Sequence, residues 1–172
     1  MQVSRWLTAP SVAFVLAAAT AIPQSAQARE IVGFSGNYSA GTVVVRTNER
    51  SLYYVLGGGK AMRYPVGVGR AGRQWGGTTF INGKLLRPAW VPPPVVRRDK
   101  PNLPSLIPAG APNNPLGEAA MLLAGGERAI HGTNNPGSIG GAVSYGCIRM
   151  FNADVLDLYG RVGLGTTVIV TR

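Results

Sequence analysis

The segment "HGTNNPGSIGGAVSYGCIRM", residues 131–150, contains the only histidine and the only cysteine of this 172-residue chain, His131 and Cys147. A cysteine nucleophile reacts as the thiolate, and a nearby imidazole can accept the thiol proton. Glycines allow a substrate backbone to approach closely and let amide N–H groups turn towards an oxyanion. The segment therefore indicates a nucleophile and its base, although a buried structural cysteine and a satisfied structural histidine would give the same composition.

The segment offers one charged side chain, Arg149, and few residues that could bind a metal. Arg149, two residues after the thiol, would favour the thiolate, receive a substrate carboxylate, or form an ion pair with Asp154 or Asp157. One histidine and one cysteine cannot supply a four-ligand structural zinc site. The sequence therefore predicts no metal and no cofactor, and a single cysteine excludes an internal disulfide.

Residues 1–28 have the pattern of a secretory signal peptide. Arg5 precedes the apolar run "WLTAPSVAFVLAAATAI", residues 6–22, and "AQA" at 26–28 fits a cleavage site. A spanning anchor is the alternative, but Pro10 and polar residues interrupt a run that is short for a span. We expect export to the periplasm or cell envelope after cleavage near Ala28, no stable membrane span in the mature chain, and a flexible segment over 29–41.

The chain is basic, with a formal net charge of +10. Charge alone speaks to association rather than to fold. For an exported protein, anionic envelope polymers are a better match than nucleic acid, and no nucleic-acid partner is expected.

Residues 42–68 have the pattern of an antiparallel meander. The β-rich runs "TVVVRT", "LYYVL" and "AMRYPVGVG" are separated by the turns "NERS" and "GGGK". From 69 to 117 the pattern changes, and proline is dense over 87–117, which argues against a central strand or an ordinary helix. Disorder is one reading, but large apolar residues favour an ordered irregular loop over the domain; these are Trp75, Trp90, Leu103 and Leu106.

The C-terminal third contains four further short elements. "GEAAMLLAG", residues 117–125, is a helix or a strand, and "RAIHG", residues 128–132, is a strand that delivers His131. A helix is expected from Asn152, as its N-cap, towards Gly163. "TTVIVT", residues 166–171, is the closing strand.

The run "IHGTNNPGSIGGAVSYGCIRM" resembles the signature of the L,D-transpeptidase catalytic domain, also called the YkuD domain. That signature joins a strand-borne His-Gly-Thr to Ser-His-Gly-Cys-Ile/Val-Arg-Met/Leu through a glycine-rich loop. The resemblance covers residues 42–171 and includes "YPVGVG", "NPLG" and the closing "LY-x-x-V-x-x-G-x-x-V-x-V" pattern. It implies a mainly β sandwich with one or two short helices and a long proline-rich loop, forming a catalytic domain over 42–172.

The resemblance also implies a reaction on peptidoglycan tetrapeptide stems. The Cys147 thiolate would attack the carbonyl between a diamino acid and the following D-Ala, giving a thioester, with His131 as general base and later acid. An amine of a second diamino acid, or of a protein, would then accept the acyl group. With water as acceptor the enzyme would be an L,D-carboxypeptidase, and a non-catalytic peptidoglycan-binding module is the alternative from another class.

The remaining site residues are carried over from the same motif. The backbone of Tyr145, Gly146 and Cys147 would form the oxyanion hole, and Arg149 would support the site or a substrate carboxylate. The partner that orients His131 is expected to be a backbone carbonyl in the region of Gly132 or Ser144.

The chain departs from the family pattern in two places. Tyr145 stands where a second histidine is usual, which argues against a direct proton-transfer role at this position, although a phenol can still donate a hydrogen bond. "QWGGTTFI", residues 74–81, replaces the usual Thr-Pro-x-Gly segment. We therefore expect Trp75, Trp90 and the prolines to shape the approach of substrate.

Overall fold

The structure, a computed structural model, describes residues 29–172, so the predicted signal peptide lies outside the described residues. The described chain is mainly β, with eleven strands and two α-helices. Within residues 29–172, none of the helices is both long and apolar enough to cross a membrane.

The first four strands form one half of a large sheet. They are β1 (Glu30–Gly33), β2 (Val43–Arg46), β3 (Ser51–Gly57) and β4 (Lys60–Pro65). The antiparallel pairing of β2 with β3 and of β3 with β4 confirms the predicted meander. The expected flexibility of 29–41 is wrong for residues 30–34, because β1 pairs along β4 and the buried Phe34 ring stacks on Tyr53 with centroids 4.7 Å apart.

The sheet continues through a strand that the sequence pattern did not reveal. After β5 (Val68–Gly69), β6 runs from Gly77 to Leu86, inside the stretch predicted to be irregular. No proline interrupts β6, and each half of it pairs with a neighbouring strand. The prediction of an irregular loop over 69–117 is therefore wrong at 77–86.

Five shorter strands complete the sheets. They are β7 (Ala119–Leu123), β8 (Ala129–His131), β9 (Ala142–Ser144), β10 (Ile148–Arg149) and β11 (Thr167–Thr171). The first half of β6 pairs with β11 and its second half with β7, so β6 links the two halves of the nine-stranded sheet. One core cluster contains residues from both halves, as the mainly β sandwich requires.

The second helix, α2 (Asn152–Arg161), follows the segment 131–150 and packs on the core through Val155 and Leu158. The prediction of this helix is confirmed, but the prediction of Asn152 as its N-cap is wrong. Phe151 occupies the N-cap position without a side-chain cap. The Asn152 side chain instead accepts backbone hydrogen bonds from two other segments.

The proline-rich stretch is ordered, as predicted, but it does contain a helix. The first helix, α1 (Pro94–Asp99), begins with Pro94, whose missing N–H is not needed in the first helical turn. The backbones of Trp90 and Ile107 pair with each other. The buried Asn114 amide donates to the carbonyls of Pro88 and Pro108 at 2.7 and 3.1 Å.

Candidate active site

Two short parallel strands bring the histidine and the cysteine into one pocket. β8 ends at His131, and β10 begins directly after Cys147, with Arg149 opposite His131 in the register. Both side chains line a pocket of about 280 Å³, and Arg149 lines it with them. Strand pairing therefore brings together residues that lie sixteen positions apart in the chain.

His131 is buried and held in one orientation. Its Nδ1 lies 2.6 Å from the carbonyl oxygen of Gly132, the next residue. A carbonyl can only accept, so in the neutral ring Nδ1 carries the proton and Nε2 the lone pair. Burial lowers the pKa of His131 to about 4, the carbonyls of Gly132 and Pro115 oppose that change, and the Arg149 charge adds to it. The imidazole is therefore neutral at pH 7 and can act as a base.

The Cys147 thiol is half-buried and is protonated in the free protein. Its Sγ lies 3.9 Å from the carbonyl oxygen of Glu127, which it approaches as a weak donor. Burial raises the pKa of Cys147, against the opposing effects of the Ala129 amide and the Arg149 and Arg128 charges. The resting pair is accordingly a neutral thiol and a neutral imidazole rather than a thiolate–imidazolium ion pair.

The turn that precedes the thiol is fixed from two sides. The buried Ser144 hydroxyl donates to the Cys147 carbonyl at 2.6 Å and accepts from the Gly146 amide at 3.0 Å. The indole N–H of Trp75 donates to the Gly146 carbonyl at 2.8 Å. The expectation that the Gly146 amide serves an oxyanion hole is therefore wrong for the free protein, because that N–H already has a partner.

The contacts that hold this turn also orient the amide of Cys147. Peptide bonds in the described chain are trans, so the N–H of Cys147 points away from the Gly146 carbonyl that Trp75 holds. Trp75 thus acts on the turn itself, and it is not among the described residues that line the pocket. The sequence had suggested only that it shapes substrate approach.

Arg149 lies against the pocket without the ion pair considered from sequence. Asp154 pairs with Arg29 at 3.3 Å, and Asp157 pairs with Arg161 at 2.8 Å. Within residues 29–172, the Nε atom of Arg149 is buried and has no hydrogen-bond partner. An orphaned buried donor of this kind can receive an anionic group from a bound molecule.

Tyr145 lines the same pocket, and its ring faces a cation rather than His131. The guanidinium carbon of Arg70 lies 4.2 Å from the centre of the Tyr145 ring. Arg70 in turn donates to the Asp99 carboxylate at 2.7 Å. This contact network could not be inferred from the motif, because Arg70 and Asp99 lie far from it in sequence.

The proline-rich segment forms one wall of the pocket, as the sequence analysis expected for Trp90. Trp90 lines the pocket together with residues around α1 and before β7; these are Pro93, Val95, Val96, Pro115 and Leu116. The wall is mostly apolar, whereas Arg73, Arg128 and Glu127 contribute charged side chains to the rest of the lining.

Asn152 was predicted to cap α2, but its side chain instead binds two backbone amides beside the candidate site. Its Oδ1 accepts hydrogen bonds from the Thr133 amide at 3.0 Å and from the Glu118 amide at 3.3 Å. These bonds fix the backbone directly after Gly132 and directly before β7. A Cβ at Gly132 would lie 2.3 Å from this oxygen. The glycine of "HGT" was the available signal, but it did not indicate which side chain fills the space.

In the part of the chain that the structure describes, no group of three or more His, Cys, Asp or Glu side chains is placed to hold a metal ion.

Comparison with known proteins identifies the domain. The sequence profile of the L,D-transpeptidase catalytic domain (YkuD) matches residues 40–170. ErfK/SrfK of Escherichia coli K12, named a probable L,D-transpeptidase, is 39% identical over 135 residues, which are 73% of this chain and 42% of that protein. The chain thus matches about two fifths of the length of this relative.

Solved structures give the same fold. An L,D-transpeptidase from Mycobacterium smegmatis covers 76% of this chain, and 58% of its own chain is covered, with a TM-score of 0.57 and 22% identity. L,D-transpeptidase 3 of Mycobacterium tuberculosis, in complex with a faropenem-derived adduct, covers 76% of this chain and 60% of its own, with a TM-score of 0.56 and 16% identity. With its thiol, its imidazole and a profile match over residues 40–170, the chain belongs to the L,D-transpeptidase (YkuD) catalytic-domain family.

Proposed function

We propose that this protein is an exported L,D-transpeptidase that acts on peptidoglycan tetrapeptide stems through a Cys147 thioester. The observation that carries the proposal is the shared pocket of Cys147 and His131, in which Nδ1 of the imidazole is bound to the Gly132 carbonyl. Cysteine acyl transfer needs a thiol beside a base that is itself oriented by a third group.

The first step is proton transfer and attack. His131 takes the thiol proton as the Cys147 sulfur bonds to the carbonyl carbon that precedes the terminal D-Ala. Because both groups are neutral at rest, this transfer is unfavourable in the free protein and is driven by bound substrate. His131 then protonates the departing amine of D-Ala, and a thioester remains on Cys147.

The negative oxygen formed in this step needs a donor. The Cys147 N–H is our candidate, since Trp75 holds the neighbouring Gly146 carbonyl in the opposite direction. The amide of Gly146 is bonded to Ser144 and would have to exchange its partner to contribute. We assign the Tyr145 amide a supporting role.

Arg149 is proposed to receive the carboxylate of the donor stem. Arg149 lines the pocket, its buried Nε has no partner in the described chain, and its charge already acts on both reacting groups. A carboxylate there would satisfy the Nε donor and offset the positive charge that lowers the pKa of His131. Substrate binding would thereby make His131 a stronger base.

The acyl acceptor distinguishes three forms of the reaction. An amine of a second diamino acid gives a cross-link, a protein amine attaches that protein to the wall, and water gives L,D-carboxypeptidase trimming. We propose transfer to an amine as the principal reaction. Export would follow from the signal peptide predicted over residues 1–28, with the mature protein acting in the periplasm or cell envelope.

The test is incubation of the mature protein with defined tetrapeptide-stem muropeptides, followed by mass analysis. A cross-linked product with loss of D-Ala is the expected result, and a tripeptide product alone would instead identify a carboxypeptidase. The Cys147→Ala variant should give neither product. Products of equal yield from wild type and variant, or none from wild type, would refute the proposal.

A second assay tests the nucleophile without a stem peptide. Intact-mass analysis after exposure to faropenem should show a covalent adduct on wild type and none on Cys147→Ala. His131→Gln should form the adduct much more slowly, because the thiol then lacks its base. A non-catalytic wall-binding module would show no thiol-dependent adduct at all.

A further inference from the structure

Three residues from distant segments form a polar cluster beside the pocket. Arg70, just after β5, packs its guanidinium on the Tyr145 ring, 4.2 Å from the ring centre. The same guanidinium donates to Asp99, the last residue of α1, at 2.7 Å. The Arg70 guanidinium and, second to it, the Tyr145 side chain hold the pKa of the Asp99 carboxyl below its ordinary value. Arg70 thus contacts both of the other members of the cluster.

The cluster connects the nucleophile turn to the wall that faces it. Tyr145 lies two residues before Cys147, and both side chains line the pocket. At the other end of the cluster, α1 contributes Val95 and Val96 to the same pocket. The position of α1 therefore sets the width of the space above the thiol.

The other polar contacts of α1 stay within the proline-rich segment. The Arg97 side chain donates to the carbonyls of Pro92 and Ser105. In the described chain, the α1 side-chain hydrogen bond and ion pair that leave residues 87–117 both join Asp99 to Arg70. Val96 is the buried residue of the helix, so apolar packing at one position is the remaining anchor.

We propose that Tyr145 is a specificity-determining positioning residue which, together with Arg70 and Asp99, fixes α1 as the pocket wall and limits the size of the group that reaches Cys147. The substrate that is selected depends on the function proposed above, whereas the fixed wall does not. Opening of the cluster would let α1 move away from the thiol and admit bulkier groups.

A tyrosine suits this position better than the histidine that is usual there. The phenol ring offers an aromatic face to the guanidinium and a hydroxyl to the carboxylate at the same time. A protonated imidazole would repel Arg70. A Tyr145→His change should therefore weaken the cluster, although it restores the usual motif of the family.

The chain contains a matched cluster for comparison. The guanidinium of Arg46 lies 5.3 Å from the centre of the Tyr53 ring and 3.1 Å from the carboxylate of Glu49. The Tyr53 hydroxyl donates to the same carboxylate at 2.6 Å. None of these three residues is among those that line the pocket. Variants here change the same chemistry without touching α1.

The test measures how fast Cys147 reacts with a small and with a bulky thiol reagent. Iodoacetamide and a biotin-linked maleimide are used on the mature protein, and the rate ratio cancels any change in thiol pKa. Arg70→Gln, Asp99→Asn and Tyr145→His should each raise the bulky-to-small ratio about three- to five-fold, the size expected for losing an exposed ion pair or cation–π contact. Arg46→Gln, Glu49→Gln and Tyr53→His should leave the ratio unchanged.

An unchanged ratio in both Arg70→Gln and Asp99→Asn would overturn the proposal, as would an equal rise in the matched variants. Both changes are at exposed side chains, so folding is not at risk, and a urea unfolding curve verifies it. The alkylation rates do not depend on enzymatic activity. A protein that gave no product in the muropeptide assay could therefore still be used to test whether the cluster fixes α1. In an active protein, the same variants should change KM for tetrapeptide stems more than kcat.

Discussion

The Asn152 side chain gives the most direct quantitative test of how the site is built. Its oxygen accepts two backbone N–H groups, from Thr133 at 3.0 Å and from Glu118 at 3.3 Å. Thr133 is buried, so Asn152→Ala leaves its amide without protein or solvent partner. An unsatisfied buried donor costs about 1–3 kcal/mol, and the longer bond to Glu118 lies at the low end, which gives a loss of about 2–4 kcal/mol in the free energy of unfolding.

Urea denaturation at neutral pH measures that loss, and a thermal scan should show a Tm lower by about 5–12 °C for a domain of this size. Asn152→Asp is the matched control, because it keeps the acceptor oxygen and places an acidic residue in the first turn of α2. The control should lie within about 1 kcal/mol of wild type. An alanine variant as stable as wild type, or an aspartate variant as unstable as alanine, would refute this account of Asn152.

Acid should destabilise wild type more than His131→Gln, since the unfolded chain binds a proton near pH 6.5 that folded His131, with a pKa of about 4, accepts only at lower pH. The stabilisation that comes from keeping His131 neutral is fully present above pH 6.5, and about 3 kcal/mol of it is lost as the pH falls to 4. Equal pH dependence of the urea midpoints of wild type and His131→Gln would contradict the lowered pKa. The alkylation rate of Cys147 should rise about tenfold per pH unit from pH 6 to 8, because the raised pKa keeps the thiol protonated, and a plateau there would indicate an ion pair instead. Trp75→Phe should slow acylation by faropenem about tenfold, because the released Gly146 carbonyl lets the oxyanion amide turn away; an unchanged rate would exclude this role.

The pKa shifts of His131 and Cys147 define a resting protonation state of the site that the motif does not specify. A cysteine–histidine pair is compatible with either a neutral pair or a thiolate–imidazolium pair. Here burial raises the pKa of Cys147 and lowers that of His131, so both effects favour the neutral forms. The free protein should therefore react slowly with small oxidants and alkylating agents at neutral pH until a substrate changes the field around Arg149.

The local pattern was sufficient for elements whose residues carry their own signal. Alternating β-branched residues with turn residues between them predicted the meander of β2, β3 and β4, and the apolar face of α2 predicted that helix. β6 was missed because the prediction for residues 69–117 rested on the prolines that follow this strand. β1 was missed because its four residues form a strand only through their pairing with β4.

The sequence by itself determined which chemical groups are present and that they belong to one domain. The single thiol, the single imidazole and the glycine-rich segment between them follow from residue types and spacing within twenty positions. The tertiary structure decided which of those groups are free to act. The partner of the Gly146 carbonyl is Trp75, 71 positions away. Tyr145 meets Arg70 because β5 pairs with β9, and Asp99 reaches Arg70 only because the proline-rich segment folds back over the pocket. Protonation and hydrogen-bond occupancy depend on burial and on such distant contacts, and a linear motif contains neither.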